Sequence, residues 1–155
     1  MTKTHLWREQ GINECFDKRC VFLRLNFAKK IASNKIFGYN NVMLKEYNVK
    51  QNFPSVVEAI GLVEIEIDLC KKEGINLLKV VHGYGSGGSG GAICVAIKNQ
   101  VKIWKKNNII KDYLFGVEWN GLNPKAQKIL IDNPDLPLDK DFNHSNMGMT
   151  ILVLN

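Results

Sequence analysis

Between Val80 and Ala92 the chain reads VVHGYGSGGSGGA, six glycines in 13 residues with apolar sequence on both sides. Glycine loses more conformational freedom on folding than any other residue, so such a cluster needs a structural or functional reason. The flanks show what kind of loop it is. Upstream, Asn76 to Val81 (NLLKVV) is short, apolar and turn-bounded, which predicts a buried strand. Downstream, Ile93, Ile97, Val101 and Trp104 fall on one helical stripe, with Lys98, Lys102, Lys105 and Lys106 off it. Strand, glycine turn and helix follow in order. That excludes a disordered linker.

The rest of the chain extends the pattern. A short strand is predicted at about Tyr47 to Asn52, and Ser55-Val56-Val57-Glu58 then fits a capping box. Val56, Ile60, Val63, Ile67 and Cys70 follow as one apolar stripe of a helix that stops at Gly74. Asp112 to Glu118 and Met149 to Leu154 read as the last two strands. The insert at 119–143 is polar and proline-punctuated, with a short helix expected where Asn123 caps and Pro124 takes the first turn. The order is βαβαββ. It predicts an α/β (α+β) two-layer sandwich, a four-stranded mixed sheet with two main helices. Residues 12–37 read as a basic amphipathic helix, so residues 1–40 are expected to form an N-terminal segment and 41–155 the domain.

Several chemistries can be tested on the glycine loop. Gly83-Tyr84-Gly85-Ser86-Gly87-Gly88 satisfies G-x-G-x-x-G. That fingerprint belongs after a domain's first sheet strand with an acid about 20 residues on, whereas here a strand and helix precede it and KKNNIIKD follows. No lysine follows the glycines as a Walker loop requires. Gly87-Gly88-Ser89-Gly90-Gly91 satisfies G-x-S-x-G, with Asp141 and His144 later in the chain, yet a nucleophile elbow sits directly on its strand and here His82 to Ser86 intervene. What remains is an anion-binding concavity of glycine N–H groups at a helix start. His82 at its mouth would donate to a phosphate or move a proton. The competing expectation is a tight strand-to-helix turn in which His82 satisfies a backbone carbonyl.

Charge points to the class of partner. The net charge of +6 lies wholly in residues 1–50, which hold 10 Lys and Arg against 4 Asp and Glu, while the remainder holds 11 of each. Such asymmetry suits a long polyanion, DNA or RNA, better than a metabolite, although a solvated helix face would look similar. Cys15, Cys20, Cys70 and Cys94 include no C-x-x-C pair, so buried free thiols and a cytoplasmic protein are expected, with a zinc site on Cys15, Cys20 and His5 as the alternative. The opening MTKTHLWREQ lacks the apolar core of a signal peptide, and no apolar run approaches the roughly 20 residues that span a bilayer, so no membrane partner is expected.

His82-Gly83-Tyr84-Gly85-Ser86-Gly87 resembles the H-G-x-G-x-G loop of the Smr (small MutS-related) domain family. Over residues 49–154, Ser55-Val56-Val57-Glu58-Ala59 is similar to that family's T-V-E-E-A helix start, and Gly148 to Leu154 to its G-x-T-I-V-x-L closing strand. The resemblance implies a βαβαββ sandwich that binds DNA or RNA and, in several members, a metal-dependent or metal-assisted endonuclease. It assigns the backbone-binding role to Gly83, Tyr84, Gly85, Ser86 and Gly87, and leaves His82 as the candidate catalytic residue. The family's L-D-x-H-G motif falls on Val49-Lys50-Gln51-Asn52-Phe53, where Lys50 replaces the aspartate and Asn52 the histidine. Losing that carboxylate and imidazole favours binding over cutting, with Lys50 adding a cation near the phosphate and Asn52 beside it. No metal ligand is assigned. A divalent ion such as Mg²⁺ or Mn²⁺ enters only if the chain cuts. The alternative is a non-catalytic module whose loop binds a phosphorylated small molecule or a protein.

Overall fold

A computed structural model describes residues 36–37, 44–85, 90–134, 136 and 139–155. The chain divides into two units, Met1–Ser33 and Asn34–Asn155, and only the second contains described residues. Cys15, Cys20, His5 and the expected helix before residue 36 therefore lie outside them. That helix was predicted to run to residue 37, but Ile36–Phe37 form a two-residue strand, β1, paired antiparallel to the next strand. Cross-strand hydrogen bonds override the local helical pattern there.

The elements that follow are β2 (Leu44–Asn48), α1 (Val56–Lys72), β3 (Leu77–Val81), α2 (Ala92–Lys106), β4 (Asp112–Phe115), a 3-10 turn (Gly116–Glu118), α3 (Pro124–Asp132) and β5 (Met149–Val153). The sheet order is β1-β2-β3-β5-β4, with β2 parallel to β3 and β5 antiparallel to both its neighbours. Strands β2 to β5 are thus the expected four-stranded mixed sheet, with β1 added at one edge. The strand predicted at 47–52 lies earlier in the chain, because Val49 begins a turn.

One face of the sheet presents Lys45, Tyr47, Leu78, Val80 and Leu152, all buried. Helix α1 covers it with Ala59, Val63, Ile67 and Cys70, and α2 brings Cys94, Ile97, Val101 and Trp104, all buried. Lys45 shows which helix lies above, since its Nζ is 3.0 Å from Glu66 Oε1 on α1 and 2.9 Å from Glu73 Oε2. The Trp104 indole N–H ties α2 to α1 by donating to Glu64 at 2.9 Å. Cys70 and Cys94 are buried free thiols, as the sequence implied. Fully burying each Val, Leu or Ile side chain stabilises the fold by roughly 1.5–3 kcal/mol.

The capping box forms as predicted: Glu58 N–H donates to Ser55 Oγ at 3.3 Å, and Ser55 N–H donates to Glu58 Oε2 at 2.9 Å. Asn123 likewise caps α3, accepting from Lys125 N–H at 2.9 Å.

The second face adds a layer to the expected two-layer sandwich. Leu44, Leu77, Leu114, Met149 and Ile151 form one cluster with Trp119, Ala126, Ile129 and Leu136, so the segment between β4 and β5 packs back over the sheet. Lys79 stands in the middle of that face, fully buried. Its ammonium is bonded to Asp139 at 2.8 and 2.9 Å and to Asp141, with Glu46 of the neighbouring strand at 3.4 Å. Burial opposes the Lys79 charge, but the bonds to Asp139 and Asp141 outweigh it and raise its pKa. Three acidic residues and one lysine therefore pin the 119–143 insert to the sheet.

Candidate functional site

The glycine loop leaves β3 at its carboxyl end, where the ladder to β5 continues past the strand. His82 and Gly83 N–H both donate to Gly148 O, at 2.9 and 2.7 Å. The Gly148 and Gly83 backbones meet so closely that a Cβ added at Gly148 would lie 3.1 Å from Gly83 Cα. The first residues of the loop, His82 and Gly83, are thus docked on Gly148, where the closing segment 148–154 begins.

Loop closure explains two of the glycines. The carbonyl of Tyr84 accepts from Gly90 N–H at 2.8 Å and Gly91 N–H at 3.0 Å. Gly85, at φ +77°, runs so near the far side that an added Cβ would stand 2.5 Å from Gly91 Cα. Gly83, at φ +68°, is covered by a side chain instead: its added Cβ would meet Lys50 Cε at 2.6 Å and Cδ at 2.8 Å. Lys50 therefore lies on the loop, as the sequence suggested. Three of the glycine N–H groups expected to face a phosphate, those of Gly83, Gly90 and Gly91, are used inside the protein. The helix α2 that follows is capped by Gly91, which has no side chain to satisfy its first N–H groups.

His82 departs from the expectation that it lines an open concavity. It is 2% exposed, with Nδ1 3.2 Å from Gly83 O and Nε2 3.0 Å from Thr150 Oγ1. The competing expectation, a ring that satisfies a backbone carbonyl, describes it. Burial pushes its pKa down to about 4, and the nearby positive charges of Lys98 and Lys50 push the same way. At neutral pH the ring is uncharged. With one nitrogen on a carbonyl that can only accept, Nδ1 carries the proton and Nε2 accepts from the Thr150 hydroxyl.

Around this packed ring lies a polar rim. Tyr84, 42% exposed, donates its hydroxyl to Asn146 Oδ1 at 2.8 Å. Asn146 Oδ1 also accepts from Gly148 N–H at 2.9 Å, and its Nδ2 donates to Asp141 Oδ1 at 2.9 Å. Asp141 thus reaches the loop indirectly, through Asn146, while its other oxygen holds Lys79. Burial works to raise the Asp141 pKa, but its bonds to Lys79 and Asn146 prevail and lower it. His144, the other late candidate, is exposed, with Nδ1 2.8 Å from Phe142 O. Asn52 is exposed at φ +70° in the turn after Lys50. Ser86 and Gly87 lie outside the described residues.

Among the described residues no group of three or more His, Cys, Asp or Glu side chains could hold a metal ion. Where Glu46, Asp139 and Asp141 do converge, the Lys79 ammonium occupies the centre, so these residues do not fit a divalent ion.

Sequence reasoning missed Thr150, Lys98 and Asn146. Thr150 stood within a quoted motif, but its link to His82 depends on the Val80↔Thr150 register, which no local pattern reveals.

No protein-family model matches the chain, and no curated protein matches it. Among solved structures it is similar to the Smr domain of Thermus thermophilus MutS2. Identity is 17% and the TM-score 0.43, over 71% of this chain and 96% of that one. No helix among the described residues is long and apolar enough to cross a membrane.

Proposed function

We propose that the chain binds nucleic acid through the glycine loop, and that the loop's chemistry is recognition rather than cleavage. The observation that carries this reading is the convergence of positive charge on the loop. Lys50 lies over Gly83, the charges acting on His82 are those of Lys98 and Lys50, and the N-terminus of α2 opens there. A phosphate at that point would meet the Lys50 ammonium and a helix dipole, within the field of Lys98. The excess charge of residues 1–50 extends the same preference to a long polyanion and favours it over a phosphorylated metabolite.

Cleavage would require an activated water, charge stabilisation at the phosphoryl oxygens and a proton for the leaving oxygen. Lys50 and the loop serve the second need. His82 is a poor source of the proton, being neutral with both nitrogens engaged. Asp141 is a poor base, because Lys79 and Asn146 hold its oxygens.

The test is a paired assay on labelled DNA and RNA, scoring binding by anisotropy and cutting on gels, with and without Mg²⁺ or Mn²⁺. Binding that weakens on Lys50→Ala, with little cutting in either condition, supports the proposal. Robust metal-dependent cutting lost in Asp141→Asn would replace it with a relocated active site.

A further inference from the structure

Phe53 is the most exposed large apolar residue described, at 99%. Its backbone is left-handed at φ +49°, directly after Asn52 at φ +70°. That conformation is unfavourable for a bulky L-residue, and an exposed ring recovers nothing by burial. The backbone is nevertheless held firmly. Phe53 N–H donates to Lys50 O at 3.2 Å and Lys50 N–H to Asn48 Oδ1 at 3.1 Å, while the capping box of α1 begins at Ser55. The turn is thus tied by hydrogen bonds, and it carries an exposed aromatic residue three positions after the lysine that covers Gly83.

Tyr84, next to Gly83 in the chain, is half-exposed with its hydroxyl bonded to Asn146. The lysine that covers the glycine loop thus has one exposed aromatic residue in its own turn and another next in the chain to the glycine it covers. An aromatic face beside a phosphate-binding cation is what a nucleobase attached to that phosphate would stack on.

We propose that Phe53 is a stacking platform for an unpaired base, so that this site takes single-stranded nucleic acid in preference to duplex. The inference rests on the nucleic-acid reading above. In a duplex the base faces are covered by their neighbours in the stack, and only the phosphates and groove edges remain for the protein. A ring held out in solvent has no use for those. A flipped or unpaired base offers both faces, and stacking tolerates any sequence because every base has a π-face.

The experiment measures dissociation constants for the full chain with three labelled oligonucleotides: a single strand, the same strand in a duplex, and an abasic single strand of equal length. The single strand should bind tightest. Phe53→Ala should weaken that arm about 5- to 150-fold, the range for one lost base–aromatic stack, and leave the abasic arm unchanged. Phe53→Trp should keep the preference. Phe53→Gly should lose it while the protein unfolds at the same denaturant concentration or higher, because glycine accepts the left-handed backbone. Equal affinity for all three oligonucleotides, with no effect of Phe53→Ala, would overturn the proposal and leave nucleic-acid binding standing. No binding in any arm would overturn both.

Discussion

His82 makes the stability of this fold depend on pH in a calculable way. In the unfolded chain the imidazole protonates near pH 6.5, whereas burial holds the folded value at about 4. Between those values the unfolded state binds a proton that the folded state does not, so stability falls as pH falls. From pH 7 to pH 5 the loss from this one group is about 2 kcal/mol, levelling off once pH drops below the folded value. The sign is fixed by the depressed pKa. Urea unfolding of the wild type and of His82→Asn at pH 7 and pH 5 reads it directly. His82→Asn should be less stable at pH 7, having lost the ring packing and the bond to Thr150, yet show a shallower decline to pH 5. An imidazole signal for His82 that titrates near pH 6.5, or an unchanged decline in His82→Asn, would refute the buried, neutral ring.

Lys79→Met should destabilise by roughly 3–5 kcal/mol, because Asp139 and Asp141 lose the cation that neutralises them, and Lys79→Met with both aspartates changed to Asn should recover much of the loss by chemical denaturation. The pKa of Asp141 is lowered and that of Lys79 raised. Their mutual stabilisation should therefore fade as pH falls through the folded Asp141 value, and again as pH rises through the folded Lys79 value. Gly85→Ala should cost more stability than Gly83→Ala: the first forces a methyl against the Gly91 backbone, the second against a lysine side chain that can swing away, and thermal unfolding compares them. Lys50→Ala and Lys98→Ala should each reduce the slope of log affinity against log salt by roughly 0.7–0.9 if each neutralises one phosphate, with no change for Lys72→Ala on the far end of α1 as the control.

What the sequence made legible was local. The stripe ending at Cys70 and the stripe from Ile97 to Trp104 became buried helix faces, and Ser55 with Glu58 became a capping box, because spacing and capping depend on neighbours within one turn. Lys50 could be placed on the loop only by similarity to a motif, since 33 residues separate it from Gly83. His82 was misjudged for the same physical reason: a histidine at a strand end looks solvent-facing until Thr150, from the last strand, arrives beside it. Lys79 lies inside the strand predicted from NLLKVV, and its partners Asp139 and Asp141 lie some 60 residues on, in a stretch with no periodic pattern to place it.

The position of β5 sets an order of events for the whole assembly. It is the last strand described, yet it lies between β3 and β4, and the Thr150 hydroxyl on it and the Gly148 carbonyl just before it hold the start of the loop. A chain emerging from the ribosome can form α1 and pair β2 with β3 early, but β4 has no strand neighbour and His82 Nε2 no Thr150 hydroxyl until residues 149–153 appear. The start of the loop is therefore held only once β5 has paired, and a nascent chain stalled before Met149 should expose two unpaired strand edges to chaperones.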